Sequence, residues 1–139
     1  MCFELDIDLK KLNYKFKKKP LLVGGLAMEF YGLRKAGKDI DFIVTKEDYD
    51  QLAKQYPNDL KDIFGDLGVC VFNFEIWKSI RYHLYEELIQ NAKEENDYLV
   101  ISLEKLLLLK ALAMSIRKYH KDLKLIVDKI NNEKVEPKK

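Results

Sequence analysis

The chain has 139 residues, of which 25 are Lys or Arg and 23 Asp or Glu, a formal net charge of +2 that argues against a dedicated nucleic-acid coat protein. With 47% hydrophobic and 35% charged residues it reads as one globular domain with a true core rather than a disordered segment. No stretch is apolar enough to span a bilayer and no charged-then-apolar leader precedes residues 1–10; Cys2 and Cys70 make no metal-ligand spacing with each other or with His83 and His120. The expectation is therefore a cytoplasmic protein with reduced thiols and no membrane contact.

Asp8 is placed to cap a short helix whose Leu9, Leu12 and Phe16 share a face, ended by Lys17-Lys18-Lys19-Pro20. Leu21–Val23 reads as a buried strand and Leu26–Lys35 as a helix with Leu26, Phe30 and Leu33 inward. The turn Ala36-Gly37-Lys38 leads to a second strand beginning at Asp39. Thr45 caps a helix with Glu47 and Asp48 in its first turn and Tyr49, Leu52, Ala53 and Tyr56 as its stripe, and Pro57-Asn58-Asp59 breaks it. A helical turn is expected at Leu60–Phe64, one strand over Val69–Trp77, a Ser79-capped helix over Ile80–Ala92 and a polar turn over Lys93–Asp97. A short strand follows over Tyr98–Ile101, then a Ser102-capped helix to about Lys118, a last helix over Asp122–Ile130 and a tail over 131–139. This order predicts an α+β chain, a small mixed sheet with helices packed on it: a core over about 20–101 and C-terminal helices over about 102–130.

The chemistry concentrates in two segments. Val23-Gly24-Gly25 ends an apolar run in two glycines, which let a ligand approach the backbone closely at the entry to a helix. Thirteen residues on, Asp39-Ile40-Asp41-Phe42 alternates acid and apolar side chains, so both carboxylates share one strand face, where a hard cation such as Mg²⁺ relieves their repulsion. Asp6-Ile7-Asp8 repeats the triplet without the glycines and reads as a helix start. Glu75 and Asn73 share a face opposite Phe72, Phe74 and Ile76.

Lys110 lies within an apolar stripe of Leu106, Leu107, Ala113 and Met114; it either snorkels at a helix edge or forms a basic rail with Arg117 and Lys121. Asp122 reads as a helix cap, Lys15–Lys19 as a solvated helix end, and Trp77, Tyr82 and Tyr85 as packing aromatics that could alternatively stack a base. Lys35 and Lys38 flank the turn before Asp39.

Val23-Gly24-Gly25 with Asp39-Ile40-Asp41-Phe42 resembles the first signature of the nucleotidyltransferase superfamily, the polymerase-beta-like fold. Val100-Ile101-Ser102-Leu103-Glu104-Lys105-Leu106 with Lys110 and Lys121-Asp122 is similar to a second signature of its small prokaryotic members, including nucleotidyltransferase-like toxins of abortive-infection systems. The resemblance implies a minimal nucleotidyltransferase fold that moves a nucleoside monophosphate from a nucleoside triphosphate to an acceptor oxygen on RNA, protein or a small molecule. It implies Mg²⁺ or Mn²⁺ held by the catalytic carboxylates Asp39, Asp41 and Glu75, with Gly24, Gly25, Lys110 and Arg117 on the nucleotide. It also implies a small helical protein partner or a homodimer. The alternative is a degenerate member that binds nucleotide or a partner without catalysis, as in a toxin–antitoxin pair.

Overall fold

The computed structural model describes residues 5–63, 65–113 and 116–134; Cys2, Phe64, Met114 and positions 135–139 of the expected tail lie outside them. The N-terminal helix is a single 3-10 turn, Leu9–Leu12, capped by Asp8, whose carboxylate accepts from Lys10 N at 3.1 Å, and closed by Asn13 in the left-handed region. β1 (Leu21–Val23) follows, fully buried, and runs directly into α1 (Gly24–Phe30). α1 is shorter than the helix expected over Leu26–Lys35. Gly32, at φ 73°, donates to Glu29 O at 2.9 Å, and Leu33 N donates to Met28 O at 3.0 Å. This pair of bonds is a Schellman closure, which stops a helix at a left-handed glycine.

β2 (Ile40–Ile43) and α2 (Lys46–Gln55) form as expected, with the Thr45 hydroxyl accepting from Asp48 N at 3.1 Å. A 3-10 turn at Pro57–Asp59 leads to β3 (Leu60–Ile63), where a helical turn was expected. Local propensity loses there to non-local pairing with β4 (Asp66–Val71), Leu60 lying opposite Val69 and Ile63 opposite Asp66. The single strand expected over Val69–Trp77 is instead a hairpin of β4 and β5 (Phe74–Trp77), reversed at Phe72 with φ 57°. Asn73 therefore sits in the turn rather than beside Glu75 on a strand; its amide donates to Lys38 O at 3.1 Å.

The helix expected over Ile80–Ala92 is also replaced. β6 (Ser79–Ile80) and β7 (His83–Leu84) make a two-residue hairpin, and only α3 (Tyr85–Leu88) is helical. Arg81 at φ 49° and Tyr82 at φ 72° cannot belong to a right-handed helix. β8 (Lys93–Glu94) and β9 (Leu99–Val100) precede α4 (Leu103–Leu112), whose cap Ser102 accepts from Lys105 N at 3.1 Å. α4 ends short of Lys118; a 3-10 turn at Arg117–Tyr119 leads into α5 (His120–Lys134), which takes in the first residues of the expected tail.

Seven strands form one mixed sheet in the order β3-β4-β5-β2-β1-β9-β8, with β2 parallel to β5, antiparallel to β1, and at the sheet's centre. The α+β expectation thus holds at the level of a mixed sheet with helices. On the face away from Asp41 and Glu75, Phe42 and Phe74 stack at 6.2 Å between ring centroids and Tyr98 tilts against Phe42 at 6.3 Å. Leu12, Leu52, Leu88, Met28 and Ile126 belong to the same buried core. Among the described residues no helix is long and apolar enough to cross a membrane.

Asp48 ties the N-terminal segment to this core. Its side chain is 0% exposed and accepts from Tyr14 Oη at 2.6 Å and from the backbone N–H groups of Lys17 and Lys18 at 3.1–3.3 Å. Asp48→Ala should strand three donors and lower stability by about 2–4 kcal/mol. Urea unfolding measures this, and a loss below about 1 kcal/mol would mean that water replaces the carboxylate without penalty.

Candidate functional site

Residues opposite one another in adjacent strands share a face of the sheet, and the register puts Val23 opposite Asp41, Asp41 opposite Glu75, and Glu75 opposite Cys70. The two carboxylates are thus neighbours across the parallel β2–β5 pair. Asp39, two residues before Asp41 and exposed just ahead of β2, interacts with both. Val23, Asp39, Asp41 and Glu75 floor a cleft of about 800 Å³, roofed by Leu106, Leu109, Lys110 and Leu112 of α4 and by Lys121, Asp122 and Leu125 of α5.

Asp41 is the most constrained residue of the row. Burial first, then the charge of Glu75, a hydrogen bond with Glu75 and the charge of Asp39 push its carboxyl up to about 8, with Lys110 pulling the other way. Its Oδ1 is buried and has no hydrogen-bond partner. Glu75 is also raised, by burial first and then by Asp39, while its hydrogen bond with Asp41 and the charge of Lys61 oppose. The signs agree on one arrangement: Asp41 keeps the proton and donates it to Glu75.

Gly24 explains why the glycine pair precedes the aspartates. It has φ 71°, and a Cβ there would lie 2.1 Å from Asp41 Oδ2, so any side chain would displace the carboxylate. At Gly25 a Cβ would meet Ala36 at 3.6 Å, an ordinary contact, so the second glycine is not sterically required.

Facing the carboxylates is a buried ion cluster that the sequence did not reveal. Asp122, 3% exposed, accepts from Arg34 Nε at 2.6 Å and Arg34 Nη2 at 2.8 Å, and pairs with Lys110 Nζ at 3.0 Å. Burial alone would raise Asp122, but the bonds from Arg34 and Lys110 outweigh it and hold the carboxyl below its ordinary range. Lys110, 7% exposed, is lowered by burial and partly restored by Asp122, and its ammonium lies 4.3 Å from the centre of the Tyr119 ring. Two cations on one anion leave the cluster with net positive charge, on the cleft side that faces Asp41.

Two expectations change here. Asp122 does not serve as a helix cap, because both its oxygens are committed to Arg34 and Lys110. Lys110 does not snorkel: the chain breaks after α4, so α5 brings Asp122 back to it, whereas one continuous helix would hold the two about 18 Å apart. Of the residues singled out from sequence, Gly24, Gly25, Asp39, Asp41, Glu75 and Lys110 all line the cleft. Arg117 is exposed on the 3-10 turn and is not among the lining residues. Arg34 had no sequence signal, since it lies off the apolar stripe of its segment and its partner is on the last helix. Trp77 lines the cleft, Tyr85 is buried with its hydroxyl donating to Lys19 O at 2.7 Å, and His83 pairs with Glu87 at 2.7 Å.

The donor set of the row, carboxylate oxygens with one orphaned at Asp41, has the chemistry of a hard-cation site. Among the described residues, however, no three His, Cys, Asp or Glu side chains are grouped so as to hold a metal ion. Compared with protein-family models, with curated proteins and with solved structures, the chain matches none.

Asp41 has a raised folded pKa, so in the unliganded protein its contribution to stability is fully present below about pH 4 and is lost as pH rises towards about 8. The Tm of the wild type should therefore fall over that window, and Asp41→Asn should flatten the fall and raise the Tm at its alkaline end. Parallel slopes for the two proteins would exclude Asp41 as the buried acid. Asp122→Asn should cost about 3 kcal/mol, because Arg34 and Lys110 would then repel without a counter-charge. Chemical denaturation tests this, and a neutral substitution would show that the cluster is solvated.

Proposed function

We propose that this chain is a minimal nucleotidyltransferase, moving a nucleoside monophosphate from a nucleoside triphosphate to an acceptor oxygen. The observation that carries the reading is the register Asp41–Glu75 across two parallel strands, with Asp39 beside them and a net-positive cluster across the cleft. Carboxylates on one wall and cations on the other suit a metal-bound polyphosphate.

Asp39, Asp41 and Glu75 would hold Mg²⁺ or Mn²⁺, which supplies charge neutralisation of the phosphates and of the leaving pyrophosphate. Asp41 would release its proton to take up this role, so binding should liberate a proton and strengthen with pH. Gly24 and Gly25 leave side-chain-free backbone beside the carboxylates, where phosphates can approach. Lys110 and Arg34 would face the triphosphate, held in position by Asp122. Glu75, one pair from the turn of the β4–β5 hairpin, would orient the acceptor. In place of Arg117 this reading uses Arg34, because Arg34 lines the cleft.

A second reading, nucleotide or partner binding without catalysis, draws on one observation: Arg34 and Lys110 already have a counter-ion in Asp122. Incubation with labelled triphosphates, Mg²⁺ or Mn²⁺, and pools of RNA and protein separates the two. The wild type should pass label to an acceptor, and Glu75→Gln should lower transfer at least about a hundredfold while sparing most triphosphate affinity. Triphosphate binding without transfer would favour the second reading, and no triphosphate binding by calorimetry would overturn the nucleotidyltransferase and leave only partner binding.

A further inference from the structure

The β6–β7 hairpin is built against its own turn chemistry. A two-residue hairpin loop with both central residues at positive φ is normally filled by Asn-Gly or Asp-Gly, since these adopt that region with least strain. Here the positions hold Arg81 at φ 49° and Tyr82 at φ 72°. Residues held in such conformations persist where the surroundings over-determine them, and the surroundings do so here. Asp66 accepts from Arg81 N at 3.3 Å, His83 is pinned by Glu87, Ile80 is half-buried against the core, and Ser79 pairs with Leu84.

What the turn displays is an aromatic ring and a guanidinium. Tyr82 is 96% exposed, a degree of exposure that serves no packing purpose for a large aromatic side chain. Arg81 lines the rim of the carboxylate cleft, as do the exposed Lys38 and Lys121. Lys61, exposed on β3, is close enough to pull on Glu75 electrostatically. Among the described residues no side chain pairs with the Arg81 guanidinium or the Tyr82 ring. An exposed ring beside a cation, next to a cleft rimmed with lysines, is a platform for a base and the phosphate that follows it.

We infer that the Arg81-Tyr82 turn is an acceptor platform for single-stranded nucleic acid: Tyr82 stacks a base near the strand end and Arg81 takes the adjoining phosphate. The strand's terminal hydroxyl then enters the cleft at Glu75. This rests on the nucleotidyltransferase reading and names the acceptor class that it left open.

The test is fluorescence anisotropy with a labelled single-stranded oligonucleotide of about twelve residues, as RNA and as DNA, across a salt series, with triphosphate binding measured separately by calorimetry. The wild type should bind the strand with an affinity that falls with salt. Tyr82→Ala should weaken it about tenfold and Tyr82→Phe should retain it, because the ring and not the hydroxyl does the stacking. The double substitution Arg81→Asn with Tyr82→Gly should abolish strand binding while raising the Tm by roughly 2–6 °C, since it relieves the turn; loss of binding then cannot be ascribed to unfolding. Wild-type protein that binds triphosphate but no strand overturns the platform and leaves the nucleotidyltransferase reading standing. Strand binding unaffected by Tyr82→Ala and by the double substitution overturns it as well. Strand binding that obeys the substitutions, without triphosphate binding, upholds the platform and sinks the nucleotidyltransferase reading.

Discussion

The cleft depends on keeping one carboxyl group, that of Asp41, inside a β-sheet. Moving its pKa from 3.8 to about 8 corresponds to a differential penalty on the order of 5 kcal/mol for its charged form, comparable to the whole stability of a small domain. The unliganded protein therefore keeps Asp41 neutral rather than bearing the charge. The neighbours fit that choice: Gly24 has no side chain to crowd the carboxyl, Glu75 accepts its proton, and the charge of Lys110 on α4 favours the opposite state without reversing it. A site with such a built-in electrostatic deficit is poised for a ligand that brings positive charge.

The ion pairs of the described residues differ in weight. Lys46–Asp50 and Lys124–Asp128 are exposed one-turn pairs on α2 and α5, screened by water and therefore weak. In the Arg34–Asp122–Lys110 cluster Asp122 and Lys110 are buried and Arg34 is partly exposed, and the cluster joins the segment after α1 to α4 and α5. Losing one member of such a cluster exposes the others to the full desolvation penalty, which is several times larger. Asp48 is a second buried anchor, tying the N-terminal segment to α2 through the Tyr14 hydroxyl and the Lys17 and Lys18 N–H groups.

The sequence was most legible where a local signal and a tertiary demand coincided. Thr45 and Ser102 cap the helices that follow them, and the alternation at Asp39–Phe42 places the acids on one face as the strand period requires. It was least legible in residues 60–92. There, positive φ values fall on Phe72, Arg81 and Tyr82, residue types that carry no turn signal, and β3 forms only because β4 lies beside it. From Val69 to Ala92 an apolar-rich stretch without glycine looks like one long strand or helix whichever way the chain reverses. Asp39 and Asp41 were visible because they are close in sequence and share the strand period, whereas Glu75 stood out only as an acid between apolar residues on a later strand. Of the cationic half, Lys110 stood out for its apolar neighbours, while Arg34 was invisible because its role is fixed by a residue 88 positions away.

That separation also orders events in time. During synthesis the sheet centre, β1 with β2 and β5, can assemble while α5 has yet to be made, but Asp122 arrives only with that last helix. Until it does, Arg34 and Lys110 have no counter-ion and the cleft has no complete roof. The growing chain thus carries its acidic floor before its cationic wall, and the cleft takes its full shape only when α5 docks.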